Sequence, residues 1–256
     1  MTGAVATIGR MATTTRRGAP LIFPIGHYLG AHYPSVGAEL DFHLLRIGWE
    51  TYKLSGNEQL GVWALAHGLP EGHEMAPWTR PAVEGAARAT GIPGAAHILE
   101  ELIGKDLVIE ASPGTAEAVE FARVCRIRSL LLGLGNTSEE PLLYGIGLAA
   151  TKPVVKVPSF TYELWKWGHA CDSLWHAVQI FAQAGRNTAP GDSDQTDPER
   201  ILTRCLAATQ VLVAHGAAYL DEAREEWDQE EGEDPLAARV GPGAERFEPN
   251  PFRSEP

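Results

Sequence analysis

Two short segments with strand composition, separated by a turn at Gly48, constrain the fold of this chain most. They are Asp41–Ile47 (DFHLLRI) and Glu50–Leu54 (ETYKL). Three segments with helical spacing follow, and a last strand is predicted at Asp106–Glu110 (DLVIE). The order strand, strand, helix, helix, helix, strand predicts a winged-helix-type module in an α+β, mostly helical protein.

The helix boundaries are predicted from capping residues. Ser55 is expected to cap the first helix, with Glu58 three residues on, as in a capping box. Thr79 is expected to cap the second helix, and the third is predicted from Gly94 to Ile103. In the second half, Asp197 is expected to cap a long helix that begins at Pro198.

A looser version of the same pattern is predicted in the second half. The segments YKLSGNEQLGVWALAHG and VKVPSFTYELWKWGHA each contain a strand with a lysine, a polar or proline step, and a tryptophan-bearing helix. The second half is interpreted either as a degenerate second winged-helix-like module or as a chance series of amphipathic elements. The predicted division is: 1–20 disordered, 21–115 first module, 116–228 second module, 229–256 acidic disordered tail.

The negative charge is concentrated near the carboxyl end. The chain carries a formal net charge of −12, and residues 221–234 contain nine acidic residues and one arginine. The remaining body is therefore nearly neutral. The acidic stretch is typical either of a solubilising disordered tail or of an arm that docks on a basic partner.

Export and membrane signals are absent from the sequence pattern. No run of 18 or more apolar residues occurs, and the first 20 residues lack the apolar segment of a signal peptide. The three cysteines, Cys125, Cys171 and Cys205, form an odd, widely spaced set that argues against disulfides. We predict a cytoplasmic protein with no membrane partner.

Recognised cofactor and metal motifs are also absent. Gly133–Asn136 (GLGN) lacks the lysine and spacing of phosphate-binding loops, and His169 with Cys171 is too sparse a pair to predict zinc. We therefore predict no cofactor and no metal. His27, Tyr28 and His169 are the candidate catalytic residues, because histidine and tyrosine can exchange protons with a substrate.

About 70 residues of the first half resemble the PqqD-like fold, the precursor recognition element of ribosomally synthesised, post-translationally modified peptide (RiPP) systems. The matching segments are YKLS (52–55), VWALAHG (62–68) and ILEELIGKDLV (98–108). The segment 67–79 is longer than is usual for that family. In this family a leader peptide adds as a strand to the hairpin edge and lies beside the third helix.

The resemblance implies a peptide-binding site and a precursor-peptide partner. The implied site residues are Glu50, Tyr52, Leu54, Ile98, Glu101, Leu102 and Lys105. The implied function is a leader-peptide-binding component of lanthipeptide-type maturation, similar to a small subunit of a class V system that works with partner proteins. Such a subunit is either a scaffold or a metal-independent cyclase that adds a cysteine thiol to a dehydroamino acid.

Two other functions remain open from the sequence. One is a winged-helix transcriptional regulator that binds DNA. The acidic third helix disfavours binding to nucleic acid, whereas the basic segment Arg123–Arg128 favours it. A non-catalytic tandem winged-helix interaction protein would instead use the acidic arm to hold its partner.

Overall fold

The computed structural model describes residues 19–70 and 77–224, which form an α+β fold. The elements of the first half are β1 (Leu21–Pro24), β2 (His27–His32), β3 (Phe42–Ile47), β4 (Glu50–Leu54), α1 (Gly56–Leu65), α2 (Arg80–Ala89), α3 (Ala95–Ile103) and β5 (Val108–Ala111). The predicted order of strands and helices is present from β3 to β5. Two additional strands precede it.

The second half has a similar succession of elements. They are α4 (Ala116–Val124), β6 (Cys125–Ser129), β7 (Leu132–Gly135), β8 (Leu143–Gly147), β9 (Val155–Pro158), α5 (Ser159–Gly168), α6 (Leu174–Thr188), α7 (Ser193–Thr196), α8 (Pro198–Ala214) and β10 (Ala218–Glu222). None of the helices in the described ranges is long and apolar enough to cross a membrane.

The two halves share sheet topology and strand register. β1 pairs antiparallel with β5 as β6 does with β10, and the sheets β2–β3–β4 and β7–β8–β9 are both antiparallel. Leu21 lies opposite Ala111 in the first two-stranded ladder, and Arg126 lies opposite Asp221 at the equivalent position of the second. The second half therefore repeats the strand pairing of the first.

A β-bulge occurs at the same place in both three-stranded sheets. The register shifts between Tyr28 and Gly30 in β2, and between Gly133 and Gly135 in β7. Gly30 and Gly135 both have positive φ, +118° and +72°. Glycine tolerates this conformation without a steric penalty, so both bulges form at a residue suited to them.

A buried tryptophan anchors the first long helix of each half. The indole N–H of Trp63 in α1 donates to the carbonyl of Ile25 (3.3 Å), just after β1. The indole N–H of Trp165 in α5 donates to the carbonyl of Leu130 (3.1 Å), just after β6. A buried indole N–H needs an acceptor, so these bonds set how each helix lies against its sheet.

Two hydrophobic cores meet at β1. Ile22 belongs to the core of the first half, whereas Leu21 and Phe23 belong to the larger core that includes α4, α5, α6 and α8. Successive side chains of a strand point to opposite faces, so one strand serves both cores. Separating the halves would expose Phe23, which costs about 1.5–3 kcal/mol for this side chain alone.

The helix caps differ in part from the predictions. Ser55 is at the N-cap of α1, but its side chain makes no capping bond, and Gln59 rather than Glu58 accepts from the Ser55 N–H (2.8 Å). The predicted capping box with Glu58 is therefore wrong. Gly56, the first residue of α1, has φ of +79°, outside the helical region. The cap at Asp197 is confirmed, since its carboxylate accepts from the Glu199 N–H (3.0 Å).

Some boundaries also differ from the predictions. The third helix begins at Ala95, one residue after the predicted start at Gly94, and β6 was not predicted as a strand. Predicted disordered regions 1–20 and 229–256 lie outside the described residues, except for residues 19 and 20.

Candidate functional site

β4 forms one edge of the first three-stranded sheet. It pairs with β3 on one side, and no strand of the described chain pairs with its other side. Glu50, Thr51 and Lys53 are exposed, and Tyr52 is half-buried. The main-chain groups along this edge are therefore open to hydrogen bonds with an added strand.

The predicted peptide-binding residues of β4 differ in exposure. The hydroxyl of Tyr52 donates to the carboxylate of Glu50 (2.9 Å), and this bond raises the pKa of Tyr52. Leu54 is 0% exposed and belongs to the first core. Glu50 and Tyr52 thus form a surface pair, while Leu54 supports the strand from inside.

The predicted residues on α3 and just after it are also of two kinds. Leu102 is fully buried in the first core, and Ile98 is half-buried against it. The Glu101 carboxylate accepts from the side-chain amide of Gln59 (3.0 Å), which ties α3 to α1. Lys105 is exposed. Of these predicted residues, the exposed surface therefore consists of Lys105 and the outer faces of Ile98 and Glu101.

The three candidate catalytic residues lie in three different surroundings. The His27 ring lies 4.8 Å from the Tyr219 ring, and Tyr28 faces the opposite side of β2. His169 is in the second half, where its Nδ1 lies 3.5 Å from the Ser129 hydroxyl. No hydrogen bond among the described residues joins any two of the three, so the structure does not assemble them into one catalytic group.

Tyr28 belongs to a hydrogen-bond chain with His43 and Asn57 that sequence reasoning missed. The Asn57 side-chain oxygen accepts from His43 Nε2 (3.0 Å), which leaves Nδ1 to accept from the Tyr28 hydroxyl (3.0 Å). His43 is 5% exposed, so this chain satisfies a buried imidazole. The three residues come from β2, β3 and α1, and only the strand pairing brings them together.

A cleft of about 790 Å³ lies between the β3–β4 turn of the first half and α4, β6 and β10 of the second. Five arginines line it: Arg46, Arg123, Arg126, Arg128 and Arg224. Asp221 and Glu222 also line it, which leaves a surplus of three positive charges. Trp49 lies in the lining at the turn and is 98% exposed. We call this feature the arginine cleft.

Asp221 connects the two halves at the base of the arginine cleft. Its side chain is 1% exposed and accepts from the backbone N–H of Gly48 (2.7 Å). A second carboxylate oxygen lies 3.6 Å from an Arg46 nitrogen and 4.0 Å from an Arg126 nitrogen. This carboxylate therefore holds the β3–β4 turn against β10.

Arg126 is the most unusual residue of the cleft. Its side chain is 11% exposed, and its Nε and Nη1 groups have no hydrogen-bond partner in the described chain. Burial, together with the neighbouring Arg128 and Arg224, lowers its pKa. An unsatisfied buried donor costs about 1–3 kcal/mol, so these donors favour an incoming acceptor.

A smaller cavity of about 250 Å³ adjoins the arginine cleft. Arg128 and Arg224 line both, and Ser129 and His169 complete the smaller one. The sequence indicated the basic segment 123–128, but Arg46 and Arg224 are distant from it in the chain. Only the packing of the halves places the five guanidinium groups together.

The cysteine thiols do not take part in this site. Burial raises the pKa of Cys125 to about 12 and that of Cys171 to about 11, and it also raises the pKa of Cys205. Such thiols stay protonated near neutral pH and are poor nucleophiles. Across residues 19–70 and 77–224, no group of three or more His, Cys, Asp or Glu residues is arranged to hold a metal ion.

Comparisons of the chain with protein-family models, with curated proteins and with solved structures gave no match. Two features of the structure itself therefore indicate function. These are the free edge of β4 and the arginine cleft beside its first residues.

Proposed function

We propose that this protein is a leader-peptide-binding component of a RiPP maturation system of the lanthipeptide type. It would capture an extended segment of a precursor peptide as an added strand along β4. The observation that carries the proposal is the exposed, unpaired edge of β4, which begins at the arginine cleft through Thr51. Main-chain hydrogen bonds would supply affinity, and neighbouring side chains would supply selectivity.

β4 suits strand addition better than the other edge strands of the two three-stranded sheets. It pairs with β3 without a register shift, whereas β2 and β7 each contain a bulge. β9 ends in Pro158, which has no N–H to donate. Of the edges of these two sheets, β4 therefore offers a peptide strand the most regular one.

The geometry favours binding over catalysis. A thioether cyclase needs a base close to the substrate thiol, and His27, Tyr28 and His169 lie in separate surroundings. A scaffold subunit needs only the peptide site and contacts with partner proteins. We therefore assign the chain the binding role in a maturation complex, with the winged-helix resemblance of its first half as supporting argument.

The test is a titration with the leader of a precursor peptide encoded beside this gene, labelled and followed by fluorescence anisotropy. We expect a Kd below about 100 µM, which corresponds to about −5.5 kcal/mol. Two versions of the leader carry N-methyl groups on odd or on even residues. Strand addition uses alternate N–H groups, so one version should bind at least tenfold more weakly than the other.

Amide hydrogen exchange locates the bound strand. We expect new protection at residues 50–54 of β4 and unchanged exchange at residues 155–158 of β9, the matched edge. Absence of binding up to 100 µM, or equal losses from both N-methylated leaders, would overturn the proposal.

The arginine cleft supports a second candidate, a nucleic-acid-binding protein. Five guanidinium groups in one cleft are a suitable phosphate contact surface, while Asp221 and Glu222 oppose it. Binding to random-sequence duplex DNA, with an affinity that falls steeply as salt rises, would favour this candidate. No binding at 50 mM salt would exclude it.

A further inference from the structure

The arginine cleft has the opposite charge to the chain as a whole. The protein carries −12, but the cleft lining has a surplus of three positive charges. Clustering like charges costs free energy unless counter-charges are bound nearby. Five arginines in one cleft therefore require counter-charges, either from the protein or from a ligand.

Within residues 19–70 and 77–224, the protein's own groups compensate these arginines only in part. No hydrogen bond or ion pair joins the Arg128 side chain to another described residue, and the Arg126 side chain keeps two buried donors without partners. Arg46 donates to the Gly48 carbonyl and to the Tyr219 hydroxyl (both 2.8 Å). Guanidinium capacity is therefore left over at Arg126 and Arg128.

The carboxylates of the cleft meet only part of this demand. One oxygen of Asp221 accepts from the Gly48 N–H, and the other, which makes no hydrogen bond in the described chain, lies 3.6 Å from an Arg46 nitrogen and 4.0 Å from an Arg126 nitrogen. The Glu222 side chain packs so closely over Gly48 that a Cβ on this glycine would overlap it. Among the described residues, neither carboxylate is placed to saturate Arg126 and Arg128, so these two arginines have donors left for a further oxyanion.

The cleft continues the free edge of β4. Five residues of an added strand span about 16 Å along it. The end of that strand beside Thr51 would enter the cleft, because Thr51 lines it. Trp49, exposed at the adjacent turn, offers an apolar surface for the same segment. Side chains just beyond the paired residues would therefore meet the arginines.

We infer that the arginine cleft is an acidic-residue subsite, which binds two or more Asp or Glu side chains flanking the strand captured by β4. This inference rests on the proposed function, and it names the peptide class that the site selects. Arginine suits this task because its planar fork binds a carboxylate through two hydrogen bonds. Nucleic acid is the less favoured ligand, because Asp221 and Glu222 would repel a continuous phosphate backbone.

The test uses the full chain and synthetic hexaglutamate, with hexaglutamine as the neutral control and hexathymidylate as the nucleic-acid control. Calorimetry at 50 mM salt should give a Kd for hexaglutamate at least tenfold lower than that for hexaglutamine. Raising the salt to 300 mM should remove most of this difference. Tighter binding of hexathymidylate than of hexaglutamate would overturn the inference.

Matched arginine variants locate the binding. Arg128→Gln should raise the hexaglutamate Kd at least fivefold. Arg200→Gln, an exposed arginine of α8 paired with Asp194, should change it less than twofold. Thermal unfolding confirms that both variants are folded. Equal effects of the two substitutions would overturn the inference.

The chain's own acidic stretch requires a parallel measurement, since residues 225–234 contain seven acidic residues directly after Arg224. A variant with these seven residues changed to Gln or Asn should bind hexaglutamate at least as tightly as the parent. If neither protein prefers hexaglutamate to hexaglutamine, the inference fails.

The leader titration separates this inference from the proposed function. Arg128→Gln should weaken leader binding while the difference between the two N-methylated leaders persists. If that difference persists but Arg128→Gln has no effect, the acidic-residue subsite is ruled out and strand addition along β4 is retained. If the parent protein binds both N-methylated leaders equally well, strand addition is ruled out, whether or not hexaglutamate binds.

Discussion

The two halves of the molecule share a backbone plan but differ in the side chains that this plan displays. Strand pairing, the bulge position and the tryptophan anchor occur at matching places in both. The polar chain formed by Tyr28, His43 and Asn57 occurs in the first half alone, because the matching positions hold Gly133, Tyr144 and Phe160. Repeated features therefore support the fold, and unrepeated ones are where function is to be sought.

The same difference explains where the halves make contact. Arg46 lies opposite His27 in the first sheet, and its counterpart in the second sheet is Gly147, opposite Leu132. Arg46 reaches Tyr219 and Asp221 of the other half, which a glycine could not do. The arginine at position 46, where the second sheet has Gly147, thus allows the first sheet to contact the other half and to form one wall of the arginine cleft.

The largest expected effect tests whether the halves are energetically equivalent. Leu45 and Ile146 occupy matching positions, and both are 0% exposed. We expect Leu45→Ala and Ile146→Ala each to lower the free energy of unfolding by about 2–5 kcal/mol. Because β1 serves both cores, urea unfolding followed by fluorescence and by circular dichroism should show one shared transition. Two separate transitions would mean that the halves fold independently.

The next effect concerns the contact between the halves. Asp221→Asn should lower the free energy of unfolding by about 2–3 kcal/mol, because it leaves the buried Arg126 without its counter-charge. Asp172→Asn, at an exposed ion pair with Arg224, should cost less than about 0.5 kcal/mol. Similar losses in the two variants would show that Asp221 does not hold the halves together.

The tryptophan anchors test the repeat at the level of one bond. Trp63→Phe and Trp165→Phe each remove a buried indole N–H and leave a carbonyl unpaired. We expect losses of about 2 kcal/mol in each, slightly larger for Trp165, which also donates to Ala217 (2.9 Å). Thermal and urea unfolding measure both. A loss confined to one variant would show that only one anchor stabilises its half.

The smallest expected effect depends on pH. Burial lowers the pKa of His67, just after α1, to about 4, below its ordinary value of 6.5. The unfolded chain then binds a proton more readily, so stability present above pH 6.5 is lost as the pH falls toward 4. Because the side chain retains some exposure, we expect about 1–2 kcal/mol between pH 7 and pH 5.

The matched variants His67→Gln and His169→Gln check this loss. His169 occupies the corresponding place after α5 and is exposed. Urea unfolding at several pH values should show a flatter profile for His67→Gln than for the parent. An unchanged profile for His67→Gln would contradict the assignment.

Short windows of the sequence predicted the elements well where the apolar spacing was clear. The hairpin of β3 and β4, the helices of the first half and the Asp197 cap were all visible in short windows of residues. The echo between the two tryptophan-bearing segments was also visible. These features depend on side-chain periodicity and on hydrogen bonds within a few residues, which a sequence displays directly.

The candidate sites were less predictable, because they depend on residues far apart in the chain. No sequence pattern singled out His43. Its two hydrogen bonds depend on the pairing of β2 with β3 and on the packing of α1 against this sheet. His27 and Tyr28 are neighbours in sequence, yet strand geometry sends them to opposite faces. Neighbouring positions in the sequence therefore did not predict which polar side chains contact each other.

The sequence by itself determined the α+β composition, the repeated strand and helix pattern, and the charge contrast between body and acidic stretch. Tertiary structure alone decided that β4 has a free edge and that five arginines share one cleft. The physical reason is distance: composition and periodicity act over a few residues, whereas the cleft joins residues from 46 to 224. Only the packing of two cores around β1 brings such positions into contact.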